Sequence, residues 1–251
     1  MISKQKIKIV SSLKHKKFRD ELGLFVAEGA KNVNDLAEKF SCEMLFATEN
    51  FLQNNKNSAK QIFEVKTSDL LKPVSFLTTP QEVVAVFQKP VFEEINMKNF
   101  ENQLVIALDE VQNTGNLGTI IRIADWFGIS KIVCSLNTAD VFNPKVVQAA
   151  MGALANVDIC YVDLQGFLQQ AKNAEIQIFG TFLDGKNIYH EALPKSAVIV
   201  FGNEGNGISP EIADLIDSRL LIPNFSKNSQ KSESLNVATA AAVVCSEFLR
   251  R

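Results

Sequence analysis

The sequence predicts an α/β fold whose C-terminal part is built around a parallel sheet with helices on both faces. Short apolar runs alternate with helical segments along the chain, which is the order typical of this class. Runs such as Val198–Phe201 are apolar throughout, as expected for strands with both faces buried. With 46% hydrophobic and 22% charged residues, the chain of 251 residues has a globular composition.

Two α/β domains are predicted, because a polar and acidic stretch separates the two halves of the chain. Pro90 follows an apolar run at Val83–Phe87, and the next strand begins near Gln103. We expect a smaller N-terminal domain over residues 1–92, a linker at about residues 88–102 and a C-terminal domain over residues 103–251.

The N-terminal half begins with a helix, since Ile7, Val10 and Leu13 recur at helical spacing and Gly23 ends the pattern. A second helix is predicted over Lys31–Phe40, which has its apolar residues on one face. Short apolar runs predict the strands of this half. They are Leu24–Ala27, Met44–Ala47, Ile62–Val65 and Val83–Phe87.

The C-terminal half repeats the alternation. Its predicted strands are Leu104–Leu108, Lys131–Ser135, Asp158–Val162, Ile176–Thr181, Ala197–Phe201 and Arg219–Ile222. Its predicted helices are Leu117–Phe127, Pro144–Ala150, Leu164–Ala171, Pro210–Ile216 and Leu235–Leu249. Because ligands of such sheets bind at the carboxyl ends of the strands, we expect the site in the segments that follow these strands.

The net charge of −2 gives no global sign of nucleic-acid binding, but the basic residues are unevenly distributed. Seven of them precede the first acidic residue: Lys4, Lys6, Lys8, Lys14, Lys16, Lys17 and Arg19. The cluster predicts a surface that neutralises RNA phosphates, with Lys14, Lys16, Lys17 and Arg19 as the candidate contacts. Charge alone leaves a solvated helix face as the alternative.

The cysteines and histidines favour neither a metal site nor a disulfide framework. Cys42, Cys134, Cys160 and Cys245 are far apart, and the chain has two histidines. Lysines interrupt the N-terminal apolar residues, and no run approaches the ~18 apolar residues of a membrane helix. We therefore expect a cytoplasmic protein with reduced thiols, no metal and no membrane association.

The first segment whose residues could bind a ligand or take part in a reaction is Asn113–Arg122, which runs from the end of a predicted strand into a predicted helix. Gly115 and Gly118 permit a tight turn, and Asn116 is a suitable helix cap. Arg122 lies among apolar residues, where a guanidinium needs an anionic partner. It is interpreted as a clamp for a phosphate or carboxylate, with an internal salt bridge or an exposed helix face as the alternatives.

Two further segments follow predicted strands. In the first, an apolar strand runs into three glycines, and Glu204 is placed to orient a ligand or an arginine; a plain glycine-rich connection is the alternative. In the second, Ser234 is predicted to cap the last helix, and Asn236 offers an amide that both donates and accepts. That helix is small and apolar nearly all round, which predicts burial, either within the fold or against a second subunit.

Together, these segments resemble the SpoU (TrmH-like) branch of the SPOUT RNA methyltransferases. The matching pieces follow the family's order within residues 104–249: Asn116–Arg122, Phe201–Gly207, Ile222–Pro223 and Ser234–Ala238. The N-terminal half is similar to the family's substrate-binding domain through Lys17–Arg19, Gly23 and Phe25–Gly29.

The resemblance implies a trefoil-knotted C-terminal domain, a homodimer and S-adenosylmethionine as the cofactor, bound largely through main-chain contacts. It implies cofactor contacts at Thr181, Gly202, Ile222 and Leu235. It implies catalytic roles for Asn116, Arg122, Glu204, Ser234 and Asn236.

The activity implied by the resemblance is methylation of a ribose 2′-hydroxyl of RNA. Ribosomal RNA is favoured over transfer RNA, since simpler tRNA-acting members can lack the N-terminal domain. The methyl donor is already a cation, so the reaction requires no metal. A non-catalytic RNA-binding protein on the same fold and an RNA base methyltransferase stay open as alternatives. The loop Pro223–Ser234 is longer and more polar than the family's usual form, which leaves the substrate-facing geometry open.

Overall fold

The computed structural model describes residues 2–56, 58–90, 97–100, 103–226 and 234–250, and these form two compact units. The first unit comprises residues 1–91 and 140–155, and the second comprises residues 92–139 and 156–251. The chain therefore passes from the second unit into the first and back again. Parts of the predicted linker (91–96 and 101–102) and of the predicted long loop (227–233) lie outside the described residues.

The elements are numbered in chain order. Up to residue 100 they are α1 (Lys4–Ser12), α2 (Lys16–Leu22), β1 (Leu24–Glu28), α3 (Ala30–Ala37), β2 (Cys42–Thr48), α4 (Glu49–Asn54), β3 (Gln61–Val65) and β4 (Val83–Gln88), with 3-10 turns at Ser68–Leu71 and Met97–Phe100. From residue 104 they are β5 (Leu104–Leu108), α5 (Thr114–Trp126), β6 (Lys131–Ser135), α6 (Pro144–Ala150), β7 (Asp158–Val162), α7 (Leu164–Asn173), β8 (Ile178–Asn187), β9 (Ala197–Phe201), α8 (Pro210–Ala213), β10 (Ser218–Leu221) and α9 (Val237–Leu249), with 3-10 turns at Ala153–Ala155 and Ile188–His190.

The first unit contains a four-stranded sheet in the order β1-β4-β2-β3, in which only β2 and β3 run parallel. Val10 and Leu13 of the N-terminal helical region are buried in one core with Phe46 and Val86 of the sheet. All four strands predicted for this half are present and begin or end within two residues of the predicted bounds. Helix α4 was not predicted, because its sequence is mostly polar; Thr48 caps it by accepting the amide of Phe51 (3.3 Å).

Arg19 is a structural residue and not part of the basic surface. It is 1% exposed, and its Nη2 and Nε donate to Asp140 Oδ2 at 2.6 and 2.9 Å. Its Nη1 donates to the carbonyl oxygens of Leu13 (2.8 Å) and Lys14 (2.9 Å). The prediction that Arg19 binds RNA is wrong, because the guanidinium is satisfied inside the fold and cannot reach a phosphate there.

The stretch 140–155 completes the first unit, although it lies in sequence between β6 and β7. The ring of Phe142 lies 4.8 Å from that of Phe25, measured between centroids. Asn32 Nδ2 donates to the carbonyl oxygen of Val147 (3.3 Å), and α6 packs on β1. Together with the Asp140 ion pair, these contacts give the first unit a core built from two separate parts of the chain.

The second unit contains a six-stranded sheet in the order β10-β8-β9-β5-β6-β7, and every neighbouring pair is parallel. The prediction of a parallel α/β sheet is therefore confirmed. The central strands β5 and β9 are buried along their whole length, which explains their continuous apolar sequences. The bounds of β5, β6, β7 and β9 are those predicted.

Strand β8 is longer than predicted because its pairing with β10 resumes after an interruption. Phe179 and Gly180 pair with the start of β10, whereas Lys186 and Asn187 pair with its end, so residues 181–185 lie out of register. Helix α8 ends at Ala213, three residues before the predicted end. Within the described residues, no helix is long and apolar enough to cross a membrane.

Candidate active site

Three of the predicted catalytic residues form one chain of side-chain hydrogen bonds. Asn236 Nδ2 donates to Asn116 Oδ1 (2.9 Å), and Asn116 Nδ2 donates to Glu204 Oε1 (2.8 Å). The three residues come from three segments that follow different strands, and 120 and 88 residues of sequence separate the bonded pairs. The structure thus brings together polar groups that the sequence predicted in separate motifs.

Asn116 is available for this chain because a different residue caps α5. Asn113 Oδ1 accepts the amides of Gly115 (2.9 Å) and Asn116 (3.0 Å), so the helix begins at Thr114. The prediction that Asn116 caps the helix is wrong. Its side chain instead projects from the first turn toward Glu204 and Asn236.

The cap of α9 is also shifted from the predicted residue. Asn236 Oδ1 accepts the amides of Ala238 (3.0 Å) and Thr239 (3.3 Å), so Asn236 is the cap and Ser234 is not. Because its oxygen is held by the helix end, the Asn236 amide nitrogen faces Asn116. Ser234 is exposed two residues earlier in the chain.

Glu204 lies in a closed loop at the end of β9. Asn203 and Gly207 exchange two backbone hydrogen bonds of 2.9 Å each, which close the loop. A Cβ on Gly202 would lie 2.2 Å from the carbonyl carbon of Gly207, so only glycine fits at the base of the loop. The loop therefore presents an exposed carboxylate from a rigid backbone.

Arg122 is exposed on α5 and does not join the hydrogen-bond chain. It forms no ion pair with any residue that the structure describes, so an internal salt bridge within those residues is excluded. Six residues after Asn116, it projects from a different side of the helix. Its exposure leaves the guanidinium accessible to an external anion.

Three predicted cofactor contacts lie just after the paired residues of neighbouring strands, two of them beyond the strand end and Thr181 inside β8. Gly180 of β8 is opposite Val200 of β9, so Thr181 and Gly202 follow at the same edge of the sheet, and Ile222 follows β10. Two apolar side chains in the flanking segments are exposed, Leu183 at 70% and Leu235 at 50%.

The basic residues Lys14, Lys16 and Lys17 are exposed at the turn into α2. Lys16 Nζ pairs with Asp20 (2.9 Å), an exposed contact that contributes little to stability. Phe18 is partly exposed and lies edge to face with the His15 ring at 6.4 Å. These two rings were not among the predicted contacts, although His15 and Phe18 interleave with the lysines in the sequence.

Two residues that were not predicted bond the segments around the hydrogen-bond chain to each other. Asp109 is 4% exposed, and its Oδ2 accepts the amide of Ser209 (2.7 Å). Asn203 Nδ2 donates to the carbonyl oxygen of Glu110 (2.8 Å). Their signal is weak: each is a polar residue one or two positions after an apolar strand.

The four cysteine thiols are poorly suited to nucleophilic chemistry. Burial raises the pKa of Cys42 and Cys160 to about 11, that of Cys245 to about 12 and that of Cys134 well above its usual range. These thiols are protonated at neutral pH and are poor nucleophiles. No cluster of three or more histidine, cysteine, aspartate or glutamate side chains in the described ranges is arranged to hold a metal ion.

Two family models match the chain. The model of the SpoU rRNA Methylase family matches residues 103–246, which is more than half of the chain and includes all the predicted catalytic and cofactor-binding residues. The model of the MRM3-like substrate binding domain matches residues 4–85.

Similar proteins cover nearly the whole chain. The 23S rRNA (guanosine(2553)-2′-O)-methyltransferase RlmP of Bacillus subtilis is 31% identical over 244 residues, covering 96% of this chain and 94% of the relative. The structure of a TrmH-family protein from Porphyromonas gingivalis has a TM-score of 0.89 and 40% identity and covers 100% of this chain and 99% of its own. An AdoMet-bound rRNA methyltransferase from Sinorhizobium meliloti has a TM-score of 0.83 and 26% identity and covers 100% and 96%.

Proposed function

The chain belongs to the SpoU rRNA methylase family, and from this premise we propose that it transfers a methyl group from S-adenosylmethionine to a ribose 2′-hydroxyl of ribosomal RNA. It is an S-adenosylmethionine-dependent RNA 2′-O-methyltransferase. The observation that carries the proposal is the hydrogen-bond chain from Asn236 through Asn116 to Glu204. Of the substrates that the sequence left open, the name of the Bacillus relative favours the ribose of ribosomal RNA over a base or a transfer RNA.

S-adenosylmethionine, when bound, supplies the methyl group as an electrophilic sulfonium. Thr181 of β8, Gly202 after β9, Ile222 after β10 and Leu235 just before α9 would hold it through main-chain groups. The exposed side chain of Leu235 would give the heterocycle an apolar contact.

Asn116 and Asn236 are proposed to position the ribose. Each side-chain amide nitrogen donates one hydrogen within the Asn236–Asn116–Glu204 hydrogen-bond chain, and its second hydrogen meets no acceptor among the described residues. These two donors would bind the ribose oxygens, and the exposed Ser234 would add a hydroxyl beside them. Glu204 accepts from Asn116 and so fixes which way that amide points. Most of the rate acceleration is then expected from orientation.

Arg122 is proposed to bind a phosphate of the RNA and to stabilise the negative charge that develops on the 2′-oxygen. A guanidinium has a pKa above about 12 and stays charged, so Arg122 does not act as the base. A phosphate oxygen next to the ribose would take the hydroxyl proton. The exposure of Arg122 supports this role.

The exposed lysines of the first unit are proposed as the sequence-independent contact with RNA. Lys14, Lys16 and Lys17 would neutralise phosphates, in keeping with the match of residues 4–85 to a substrate-binding domain. The RNA-binding domain would thus be the predicted residues 1–92 together with residues 140–155, which complete the first unit, and the remainder of residues 103–251 would form the methyltransferase domain.

A trefoil knot and a homodimer are part of the proposal. The knot is proposed from the match of residues 103–246 to the SpoU rRNA Methylase family model. The homodimer is proposed from the membership of the chain in the SpoU rRNA methylase family. A cytoplasmic location is proposed from the similarity to the bacterial 23S rRNA methyltransferase RlmP.

The proposal is tested by methyl transfer from labelled S-adenosylmethionine to purified RNA. Ribosomal RNA from a strain lacking the protein should accept label, whereas ribosomal RNA from the parent strain, already modified, should accept little. Label in transfer RNA alone would contradict the substrate class, and binding of RNA without transfer would indicate a non-catalytic protein.

A further inference from the structure

We propose that Asn203 is a positioning residue for the methyl transfer, acting through the loop that carries Glu204. This inference rests on the proposed function. Asn203 lies next to Glu204 but reaches neither Asn116 nor Asn236 among the hydrogen bonds of the described residues. Its effect on the site therefore passes through the backbone of the loop.

The Asn203 side-chain oxygen organises the inside of the loop. Asn203 Oδ1 accepts the amides of Gly205 (2.8 Å) and Asn206 (3.2 Å). These are the two amides directly after Glu204, so they fix the peptide that leaves it. The loop is therefore held at its base by the two backbone bonds between Asn203 and Gly207 and on its inside by the Asn203 side chain.

The Asn203 side-chain nitrogen ties this loop to the end of β5. Nδ2 donates to the carbonyl oxygen of Glu110 (2.8 Å). Glu110 has φ of 55°, a left-handed conformation that few residues other than glycine adopt. Its amide donates to Ser135 Oγ (2.9 Å), and its Oε1 accepts from Asn137 (2.7 Å). Glu110 is thus held in a strained conformation by bonds to its amide and its side chain, and its carbonyl oxygen accepts from Asn203.

One side chain therefore joins two segments of the active site. Asn113 and Asn116 follow β5 by way of Glu110, and Glu204 follows β9 by way of Asn203. The bond from Asn203 to Glu110 sets the distance between the two segments, and the bond from Asn116 to Glu204 depends on that distance. Asparagine suits the position, because the turn needs an acceptor and Glu110 needs a donor.

The test uses the full-length protein and substitutions that separate these two roles. Asn203→Asp keeps the acceptor for the turn, loses the donor and places a carboxylate against the carbonyl oxygen of Glu110. Asn203→Ser keeps a short acceptor, loses the amide donor to Glu110 and adds no charge. It replaces the aspartate variant in the test if that variant does not fold. Asn206→Ala is the matched control, since it changes the same loop but keeps the backbone amide that Asn203 binds.

In the wild-type background, Asn203→Asp should lower kcat by about tenfold, the effect of losing roughly one hydrogen bond, with less than threefold change in the KM for RNA. In a Glu204→Ala background, the same substitution should change kcat by less than about twofold, because its route to the site is already removed. Asn206→Ala should leave kcat unchanged. Additive losses in the two backgrounds would overturn the inference.

A measurement without turnover separates this inference from the proposed function. The side-chain amide resonances of Asn116 should move in Asn203→Asp and in Asn203→Ser toward their positions in Glu204→Ala. Unmoved Asn116 resonances in folded variants would overturn the inference even in an active enzyme. Absence of ribose methylation by the wild-type protein would instead count against the proposed function.

Discussion

Asn236 caps helix α9 with its side-chain oxygen and donates to Asn116 with its side-chain nitrogen. The oxygen accepts the amides of Ala238 and Thr239, and the nitrogen lies 2.9 Å from Asn116 Oδ1. A single amide group thus begins a helix and completes the polar chain of the site. The start of helix α9 therefore fixes the orientation of this hydrogen-bond chain, so its donors need no reorganisation when substrate binds.

Asn236→Asp should separate the two roles of this residue. The carboxylate keeps the helix cap, so the melting temperature should stay within a few degrees of wild type. The donor to Asn116 is lost and two oxygens face each other, so turnover should fall by roughly tenfold or more. Asn236→Ala is the matched comparison, because it should also lose ~1 kcal/mol of stability with the cap. Thermal denaturation beside a transfer assay measures both, and full activity of Asn236→Asp would contradict the assignment.

Arg122→Ala should fold and bind S-adenosylmethionine normally, because the side chain is exposed and forms no ion pair with the described residues. Its turnover should fall by roughly 100-fold, the scale for loss of one transition-state donor. Arg122→Lys keeps the charge without the planar fork, so appreciable recovery would indicate a simple electrostatic contact. Calorimetry and single-turnover kinetics measure these effects. Wild-type turnover of Arg122→Ala would remove Arg122 from the mechanism.

Arg19→Ala should cost ~3–5 kcal/mol of stability, because it leaves the Asp140 carboxylate without its partner in the core of the first unit. The double variant Arg19→Ala/Asp140→Ala should recover part of this loss, since no buried charge is then unpaired. Urea denaturation of wild type, single and double variants gives the comparison. A single variant as stable as wild type would contradict the structural role.

Replacing Lys14, Lys16 and Lys17 with alanine should weaken RNA binding without changing cofactor affinity. If all three lysines contact phosphates, the slope of log K against log salt should become less negative by about 2–3. Lys39→Ala is the control for the loss of one positive charge, because Lys39 follows α3 and lies outside the basic cluster in sequence. Filter binding at several salt concentrations measures the slope, and an unaltered slope would support the solvated-face alternative.

Local sequence predicted the strands that are buried along their whole length. It did not predict features that depend on residues distant in sequence, such as the burial of Arg19 and the identity of the helix caps. Strand β9 is apolar from Ala197 to Phe201 because both its faces are covered, and its bounds are accordingly those predicted. The burial of Arg19 was not predictable, because its partner Asp140 lies 121 residues away in sequence, within the range predicted as the other domain, although the structure places both in the first unit.

The helix caps were misassigned for a similar physical reason. Asn113 and Asn116 are both good caps, as are Ser234 and Asn236, and local preference does not decide between neighbours of equal propensity. The choice is made by the long-range contact among Asn116, Glu204 and Asn236, which exists only in the folded chain. The roles of the site residues came from the family resemblance, and the structure adds how three of them are held.

The chemical position of the transferred methyl group tests the central claim most directly. Ribosomal RNA from a strain lacking the protein is incubated with the protein and S-adenosylmethionine carrying a labelled methyl group, digested to nucleosides and analysed by mass spectrometry. We predict that the label lies on the ribose of one nucleoside and that the linkage to the next phosphate resists alkaline cleavage, because the 2′-oxygen is blocked. Label on a base, with the adjacent linkage still cleaved, would contradict the account.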